Sequence, residues 1–277
     1  MSTHKPASSP RQITFALNEI LKIGESAVLA TIVESRAASV TVGAKMIVSD
    51  RSNIGGLGNE QLDEAVARFV PRFLKSRDEA GLFSVEGIAP ELAEFADAKI
   101  LFERIEAEPR LVIAGAGHVG ASLARLAARV GFQVMLIDDR AEFVDRKLFS
   151  EASDQAITLI AAENWQASVR EAIDNGRGVS VAIVTRGHKQ DEECLRAAVA
   201  ARPDYVGMIG SKRRTNIVLD KLREEGCDQN ELKKVRAPIG LDIGAVSPEE
   251  VALAILAEIV TERHGASGAP LSSWRRS

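Results

Sequence analysis

The chain is poor in cysteine and in aromatic residues, and it has no long hydrophobic segment. Its two cysteines, Cys194 and Cys227, form no metal-type cluster and fit a reducing compartment. No apolar run approaches the roughly 20 residues that span a bilayer, and the N-terminal stretch MSTHKPASSPRQ lacks the apolar core of a signal peptide. We therefore expect a cytoplasmic protein that does not enter a membrane.

A strong net charge is also missing. The formal net charge is -4 for 277 residues, which gives no global reason to expect nucleic acid or an anionic membrane as a partner, although local basic patches stay open. The length suits two domains of ordinary size, each with its own core.

A strand-turn-helix-strand pattern runs from Arg110 to Arg140. The apolar segment 111–114 enters the motif Gly-Ala-Gly-His-Val-Gly at 115–120, which opens a segment of helical period ending at Gly131. A second strand, 133–137, follows and finishes at Asp138. This order of elements is typical of a Rossmann-type dinucleotide-binding unit.

Each residue type in this pattern has its own expected role. Gly115 allows the tight turn, Gly117 lets the backbone approach a pyrophosphate, and Gly120 lets the helix pack on its strand. His118 lies at the helix start, where free N–H groups face an anion. Asp138 is placed to hold a ribose 2′-hydroxyl. The alternative is a glycine turn with a purely structural role.

The N-terminal half is predicted to be a smaller α+β domain with a second glycine turn. Strands are predicted at 27–33, 42–48, 82–85 and 98–105, and residues 53–60 are predicted to be a turn before a long helix. Gly55 and Gly56 at that helix start, with Lys45 as charge partner, predict a second anion site. A glycine turn that merely joins strand to helix is the alternative.

The polar segment 106–109 contains a proline and marks the boundary between the halves. We predict an α/β protein in which a C-terminal Rossmann-like, doubly wound parallel sheet follows the smaller α+β domain. The expected segments are a tail at 1–10, the N-terminal domain at 11–106, the Rossmann-like domain at 110–265 and a second tail at 266–277.

Further strands of the C-terminal half end in loops rich in polar residues. Strand 179–184 leads to His188 and Asp191, and loops at the carboxyl ends of parallel strands are where open α/β sheets bind ligands. The spacing of these two residues with Cys194 would tempt a metal assignment, but Cys194 is expected inside the next helix as a small hydrophobe.

The next strand, 204–208, runs into a basic helix start. Ser211 is placed to cap the helix, and Lys212 and Arg213 lie in its first turn, where cations oppose the helix dipole. We interpret this as a phosphate site, with a merely solvated basic face as the alternative.

The last motif surrounds Asp242, which two glycines flank so that backbone can come close to a ligand or a loop. Ser247 and Pro248 then begin a long helix that is apolar on one side. This helix is expected to close the domain or to pair with another protomer, and we expect a homodimer because two-fold homodimers are common.

Together these motifs resemble a known family. In chain order they read GAKM (43–46), GGLGNE (55–60), VIAGAGHVG (112–120), GFQVMLIDDR (131–140), VTRGHKQD (184–191), YVGMIGSKRR (205–214), PIGLDIGA (238–245) and SPEEVALAILAEI (247–259). The set closely resembles the XdhC/CoxI family of xanthine dehydrogenase accessory proteins over about residues 25–265.

The resemblance implies a chaperone for the molybdenum cofactor, the molybdopterin complex or its dinucleotide form. Such a protein holds the cofactor while a cysteine desulfurase supplies sulfur and then delivers it to an apo molybdenum hydroxylase of the xanthine dehydrogenase type. Matching motifs carry the cofactor-binding role to the candidates named above: Lys45, Gly55, Gly56, Gly115, Gly117, His118, Gly120, Asp138, His188, Asp191, Ser211, Lys212, Arg213 and Asp242. No residue is assigned a catalytic or metal-binding role.

Three departures and two alternatives accompany this resemblance. The stretch SVTVG (39–43) lacks the proline common ahead of the AKM motif, residues 53–60 contain no cysteine, and the loop TRGH replaces the more frequent THD.

One alternative function is a sensor that binds a dinucleotide only to govern the assembly of partners. The other is an NAD-dependent oxidoreductase that uses the fingerprint for NAD or NADP, with His188 or Asp191 as acid–base group. The chain has one tyrosine, Tyr205, and no Tyr-x-x-x-Lys pair, which counts against that alternative.

Overall fold

The computed structural model describes residues 9–22, 24–76, 78–174 and 176–272. The chain divides into two compact units, Met1–Ala107 and Glu108–Ser277. Of the expected tails, residues 1–8 and 273–277 lie outside the described residues, and the first helix begins at Pro10. No helix in the described ranges combines the length and the apolar character that crossing a bilayer requires.

In its described residues, the first unit contains a five-stranded antiparallel sheet and three α-helices. The strands are β1 (Ala27–Glu34), β2 (Lys45–Ser49), β3 (Asn53–Gly56), β4 (Ala80–Ser84) and β5 (Lys99–Ile105), and the helices are α1 (Pro10–Lys22), α2 (Glu60–Lys75) and α3 (Val85–Ile88). The strand order is β3-β2-β1-β5-β4.

Both faces of this sheet are covered, and the alternation of side chains along β1 shows how. Val28, Ala30 and Ile32 pack with α2 in one core cluster, whereas Ala27 and Leu29 pack with α1 in another. Successive strand residues point to opposite faces, so a strand covered on both sides is apolar at nearly every position. This explains the continuous apolar run at the start of β1.

Residues 53–56 differ from the prediction, because they form the edge strand β3 instead of a turn. Gly55 and Gly56 pair with Met46 and Lys45 of β2. Glycine is disfavoured in strands, so the local sequence favours a turn, and pairing with β2 overrides that preference.

The second unit contains five strands and six helices. The strands are β6 (Arg110–Ala114), β7 (Gln133–Asp138), β8 (Ile157–Ala161), β9 (Val179–Ile183) and β10 (Tyr205–Met208). The helices are α4 (His118–Arg129), α5 (Trp165–Ile173), α6 (His188–Ala201), α7 (Lys212–Glu224), α8 (Gln229–Leu232) and α9 (Pro248–Arg263).

This second sheet is parallel throughout, with strand order β10-β9-β6-β7-β8. Helices α4 and α9 share a core cluster on one face, and α5, α6 and α7 contribute to a cluster that packs on the other. The predicted α/β class with a Rossmann-like doubly wound sheet is confirmed. Since the chain moves outward from β6 in both directions, the topological switch point lies between the carboxyl ends of β6 and β9.

Candidate functional site

Two of the three fingerprint glycines are required by the packing of the protein itself. Gly115 has φ +112°, and a Cβ there would lie 2.6 Å from the carbonyl oxygen of Val184. A Cβ at Gly120 would overlap the carbonyl oxygen of Gly115. These two positions bring the loops after β6 and β9 together at the switch point, and any side chain would separate them.

Gly117 is different because nothing inside the protein explains it. Its φ of -64° suits any residue, and no heavy atom lies within 4 Å of a Cβ built on it. Gly117 is the N-cap of α4 and faces open space at the carboxyl edge of the sheet. A glycine here leaves the helix start open to the close approach of a ligand.

Helices α4 and α6 also differ from the other helices that the structure describes in how they begin. Their N-cap residues are Gly117 and Gly187, and neither has a side-chain cap hydrogen bond. The other seven helices are capped by the side chains of Ser9, Asn59, Ser84, Asn164, Ser211, Asp228 and Ser247.

The two uncapped helices follow β6 and β9, the two strands that flank the switch point. Their first N–H groups are therefore available to an anion. The positive end of the dipole is fully available only in α4, because Asp191 in the first turn of α6 offsets part of the dipole of that helix.

A small cavity of about 80 Å³ lies at this edge. Sites for whole small molecules usually enclose about 300–1,000 Å³, so this cavity accommodates only the end of a ligand, such as a phosphate group. Its lining comprises Gly115, Gly117, Asp138, Asp139, Arg140, Trp165, Val184, Thr185, Arg186 and Gln190.

Asp138 lies at the end of β7 as predicted, but its carboxylate already has partners in the protein. The side chain is buried, its Oδ2 accepts the N–H of Ala116 at 2.7 Å, and both oxygens accept guanidinium hydrogen bonds from Arg140 at 2.8 and 2.9 Å. Burial alone would raise the pKa of Asp138, but the hydrogen bonds from Arg140 and Ala116 outweigh burial and hold the pKa below its ordinary value. Its role in this structure is to fix the fingerprint turn.

Charged side chains around the cavity form a balanced network. Arg140 stacks on Phe143, with the guanidinium carbon 3.7 Å from the ring centroid, and Arg186 donates to Asp139 at 3.2 Å. Asp138 and Asp139 thus offset the two arginines. Attraction for an anion at this cavity comes mainly from the uncapped helix starts.

Asp191 is likewise engaged inside the protein. It is fully buried, accepts the hydroxyl of Thr185 at 2.5 Å and accepts Nε–H of Arg214 at 2.9 Å. Burial raises the pKa of Asp191, although the hydrogen bonds from Thr185 and Arg214 oppose that shift. Asp191 therefore ties the loop after β9 to the first turn of α7.

The remaining candidates of this edge lie at the surface. His118 and His188 are exposed at the starts of α4 and α6, and Lys212 and Arg213 are exposed in the first turn of α7. Ser211 caps α7, as predicted, by accepting the N–H of Arg214. Among the three consecutive cations, Arg214 is the one that turns inward to a buried carboxylate.

Asp242 is exposed in the loop that follows Pro238. Glu258 of α9 holds this loop, because its Oε2 accepts the N–H of Gly240 at 2.8 Å and the hydroxyl of Tyr205 at 2.6 Å. Burial raises the pKa of Tyr205, and the hydrogen bond to Glu258 raises it further. Tyr205 is therefore a structural hydrogen-bond donor.

The candidates of the N-terminal unit have internal partners too. Lys45 donates to the hydroxyl of Thr31 at 2.9 Å. The buried Asp63 of α2 accepts the N–H of Leu57 at 2.7 Å, and a Cβ at Gly56 would lie 2.8 Å from the other oxygen of Asp63. A Cβ at Gly55 would lie 2.5 Å from the backbone oxygen of Lys45. The anion at this turn is the protein's own carboxylate.

Sequence reasoning missed two features of the edge. Gly187 was not singled out, although a glycine directly before a helix, with no capping side chain, is visible in the sequence. Glu258 was not singled out either, and its signal is an acidic residue within the otherwise apolar segment 251–260.

The structure gives no geometric support for a metal site formed by His188, Asp191 and Cys194. In the described part of the chain, no three His, Cys, Asp or Glu side chains come together in a way that could hold a metal ion. Cys194 lies buried within α6, as predicted, and burial raises the pKa of its thiol far above the ordinary value.

Comparison with protein families gives two matches. Residues 111–259 match the model described as the XdhC Rossmann domain, and residues 20–85 match the model described as the XdhC and CoxI family. The chain belongs to the XdhC/CoxI family. The resemblance read from the sequence motifs is thereby confirmed.

Three curated relatives of this family member are similar over part of the chain. YqeB of Escherichia coli is 31% identical over 87% of this chain and 44% of its own length. A Bacillus subtilis protein, named as a probable subunit of xanthine dehydrogenase, is 31% identical over 59% of this chain and 46% of its own length. PaoD of Escherichia coli, named a molybdenum cofactor insertion chaperone, is 36% identical over 30% of this chain and 26% of its own length. The chain spans less than half the length of each of these relatives.

Among solved structures, a xanthine dehydrogenase from Bacillus halodurans is similar with a TM-score of 0.50. The match covers 94% of this chain and 98% of that one, at 16% sequence identity. At this identity the likeness shows that the fold is shared.

Proposed function

We propose that this protein binds the molybdenum cofactor and delivers it to an apo molybdenum hydroxylase of the xanthine dehydrogenase type. Membership of the XdhC/CoxI family and the names of two relatives support this maturation role. The observation that carries the proposal is Gly117, a glycine with no internal function at an uncapped helix start beside the topological switch point.

The residues at this edge fit the phosphate end of such a cofactor. The molybdenum cofactor carries a phosphate, or a pyrophosphate in its dinucleotide form. The space beside Gly117 would admit the phosphate oxygens, and the first N–H groups of α4 and α6 would donate to them. Since the cavity is small, the pterin part of the cofactor would lie outside it.

Other candidates contribute at longer range in this proposal. Lys212, Arg213, His118 and His188 are exposed at the same edge of the sheet. The two cations Lys212 and Arg213 raise the local concentration of an anionic ligand. Asp191 and Ser211 keep the start of α7 in place. Lys45, Gly55 and Gly56 stabilise the first unit and do not contact the phosphate.

The family resemblance extends the proposal to two finer points. The bound cofactor would be protected while a cysteine desulfurase supplies its sulfur, and the working form would be a homodimer. The space at Gly117 bears on neither point. Protection during sulfuration is tested with purified desulfurase, and the homodimer is tested by measuring the mass in solution.

Hydride transfer with NAD or NADP receives less support from the same edge. A dinucleotide needs a free carboxylate for its ribose 2′-hydroxyl. The carboxylate at the matching position, Asp138, is buried and accepts four hydrogen bonds from Ala116 and Arg140. The geometry therefore favours a held phosphate over a dinucleotide bound along its whole length.

The decisive experiment measures equilibrium binding of molybdenum cofactor and, separately, of NAD to the wild-type chain and to Gly117→Asp. The introduced carboxylate would cap α4 and repel a phosphate. We expect cofactor affinity to fall at least tenfold, about 1.4 kcal/mol, with thermal stability unchanged or raised because aspartate is a good N-cap.

Ser247→Asp is the matched control, because it adds the same charge at the capped start of α9. We expect its cofactor affinity to stay within about twofold of wild type. Equal affinity of wild type and Gly117→Asp would refute the phosphate site. Tight NAD binding with negligible cofactor binding would replace the proposal with the dehydrogenase alternative.

A further inference from the structure

A groove of about 680 Å³ lies within the N-terminal unit, between α1 and the hairpin of β2 and β3. This volume is in the range of small-molecule sites, about 300–1,000 Å³. None of the sequence motifs and none of the residues of the proposed phosphate site contributes to it.

One stripe of α1 forms a wall of the groove. Gln12, Phe15, Ala16 and Glu19 follow the spacing i, i+3, i+4, i+7, which places them on one helix face. Phe15 is 69% exposed, and Ile54 of β3 faces the groove from the hairpin. The apolar wall with an exposed aromatic ring suits a flat ligand.

Glu25 lines this groove, and its carboxylate lacks hydrogen-bond donors. The side chain is only 9% exposed, and its Oε1 has no hydrogen-bond partner among the described residues. Its Oε2 forms an ion pair with Nε of Arg51 at 3.7 Å, which is beyond hydrogen-bond distance. A buried carboxylate oxygen without a donor is unfavourable, so a ligand that donates to it is stabilised.

The backbone holds Glu25 in this position. Gly24 has φ +64°, and the N–H of Glu25 donates to the carbonyl of Ile20 at 3.1 Å, which is the closing bond of a Schellman motif. The side chain therefore starts from a fixed point at the end of α1. Its terminal torsion is soft, so either oxygen can turn toward a donor in the groove.

Arg51 already balances the charge of Glu25, which favours a neutral ligand at this carboxylate. Two basic residues, Arg11 and Arg51, and two acidic residues, Glu19 and Glu25, line it. Glu19 already has a partner, since Lys22 donates to it at 2.9 Å. A ligand with N–H donors and no net charge satisfies Glu25 without upsetting this balance.

We propose that the groove binds a flat, uncharged 2-aminopyrimidin-4-one ring, the ring found in guanine and in pterin. Its ring N–H and its amino group are parallel neighbouring donors, and they match the two oxygens of a carboxylate as a guanidinium does. The ring face packs on Phe15 and Ile54. This inference goes beyond the proposed function, because it concerns the other unit and does not depend on the phosphate site.

Pterin itself is the probe, because its fluorescence reports binding directly. Titration of the full chain is expected to show saturable binding, and Glu25→Gln is expected to weaken it at least tenfold, since one acceptor oxygen becomes a donor. Glu19→Gln, at the rim of the same groove, is the matched control and keeps affinity within twofold. Phe15→Ala changes an exposed side chain and is expected to weaken binding at least threefold.

Lumazine, which has a carbonyl where pterin has the amino group, provides the ligand control and is expected to bind at least tenfold more weakly. Equal affinity of wild type and Glu25→Gln, equal affinity for pterin and lumazine, or no pterin binding would each overturn the proposal. Gly117→Asp is expected to leave pterin affinity unchanged, so failure at this groove is distinguishable from failure of the proposed phosphate site.

Discussion

The two glycine-rich turns of this protein are similar in sequence, but they differ in whether the helix that follows is open to an external anion. In each, a strand passes through glycines into a helix, and a buried carboxylate accepts one N–H of the turn at 2.7 Å: Asp63 from Leu57, and Asp138 from Ala116. Asp63 belongs to the first turn of the helix that follows, whereas Asp138 belongs to the next strand and is paired with Arg140.

The element that supplies the carboxylate decides which helix start remains open to an external anion. Helix α2 has Glu60 and Asp63 in its first turn and Asn59 as N-cap, so its positive end is neutralised within the helix itself. Helix α4 has no acid in its first turn and no side-chain cap. A glycine-rich turn therefore indicates an anion site only where the following helix brings neither a cap nor an acid of its own.

The largest expected effect separates the fingerprint glycines from each other. Gly115→Ala forces a side chain into φ +112° against the carbonyl of Val184, and we expect a loss of roughly 3 kcal/mol in the free energy of unfolding. Gly117→Ala meets no atom within 4 Å, and we expect a loss below about 1 kcal/mol. Urea unfolding followed by circular dichroism measures both.

Similar losses in the two variants would contradict the distinction between internal and ligand-facing glycines. A Gly117→Ala variant that is less stable than Gly115→Ala would also contradict this distinction.

An intermediate effect is expected from Asp63, the residue that closes the first turn. Asp63→Ala leaves the N–H of Leu57 without an acceptor, which costs about 2 kcal/mol. Asn59 and Glu60 still neutralise the start of α2 in this variant, so we expect inorganic phosphate to raise its melting temperature no more than chloride does at equal ionic strength.

Glu64→Ala is the control, because Glu64 is an exposed acid on the same helix. It is expected to stay near wild type in both salts. A specific stabilisation of Asp63→Ala by phosphate would contradict the comparison, because a helix start that keeps its cap and one acid would then still accept an anion.

The smallest effect concerns the pH dependence that Asp138 introduces at the second turn. Its folded pKa is lowered from 3.8, so its contribution to stability is complete above about pH 4 and is lost as the pH falls through the lowered pKa. We expect Asp138→Asn to be roughly 1 kcal/mol less stable than wild type at neutral pH. The difference should shrink below pH 4, as measured by thermal unfolding between pH 2.5 and pH 7 (~0.5-unit steps). A difference that stays constant over this range would mean that the ionised carboxylate does not hold the turn.

Features set by local sequence could be predicted, and features set by distant partners could not. The segment from Arg110 to Asp138 was predicted correctly because hydrophobic period and glycine placement are local signals. The start of α9 was correct for the same reason, and Glu250 completes its capping box with Ser247.

Tertiary pairing explains what the sequence could not show. Asp191 meets Arg214 across 23 residues, and nothing near either residue indicates the other. Strand β3 was missed because its glycines favour a turn until β2 lies beside them. The ion pair of Asp138 with Arg140 had a local signal, because the two residues are two positions apart. The burial that keeps other partners away from Asp138 depends on the assembled sheet.

The packing of α9 on α4 also bears on how the chain folds as it leaves the ribosome. The strands and helices of the first unit end at Ile105, so that unit can fold as soon as this stretch has emerged. The buried side of α4, around Leu123 and Ala127, is covered by Ile255 and Ile259, more than a hundred residues later in the chain. During synthesis that apolar surface stays uncovered until α9 is made.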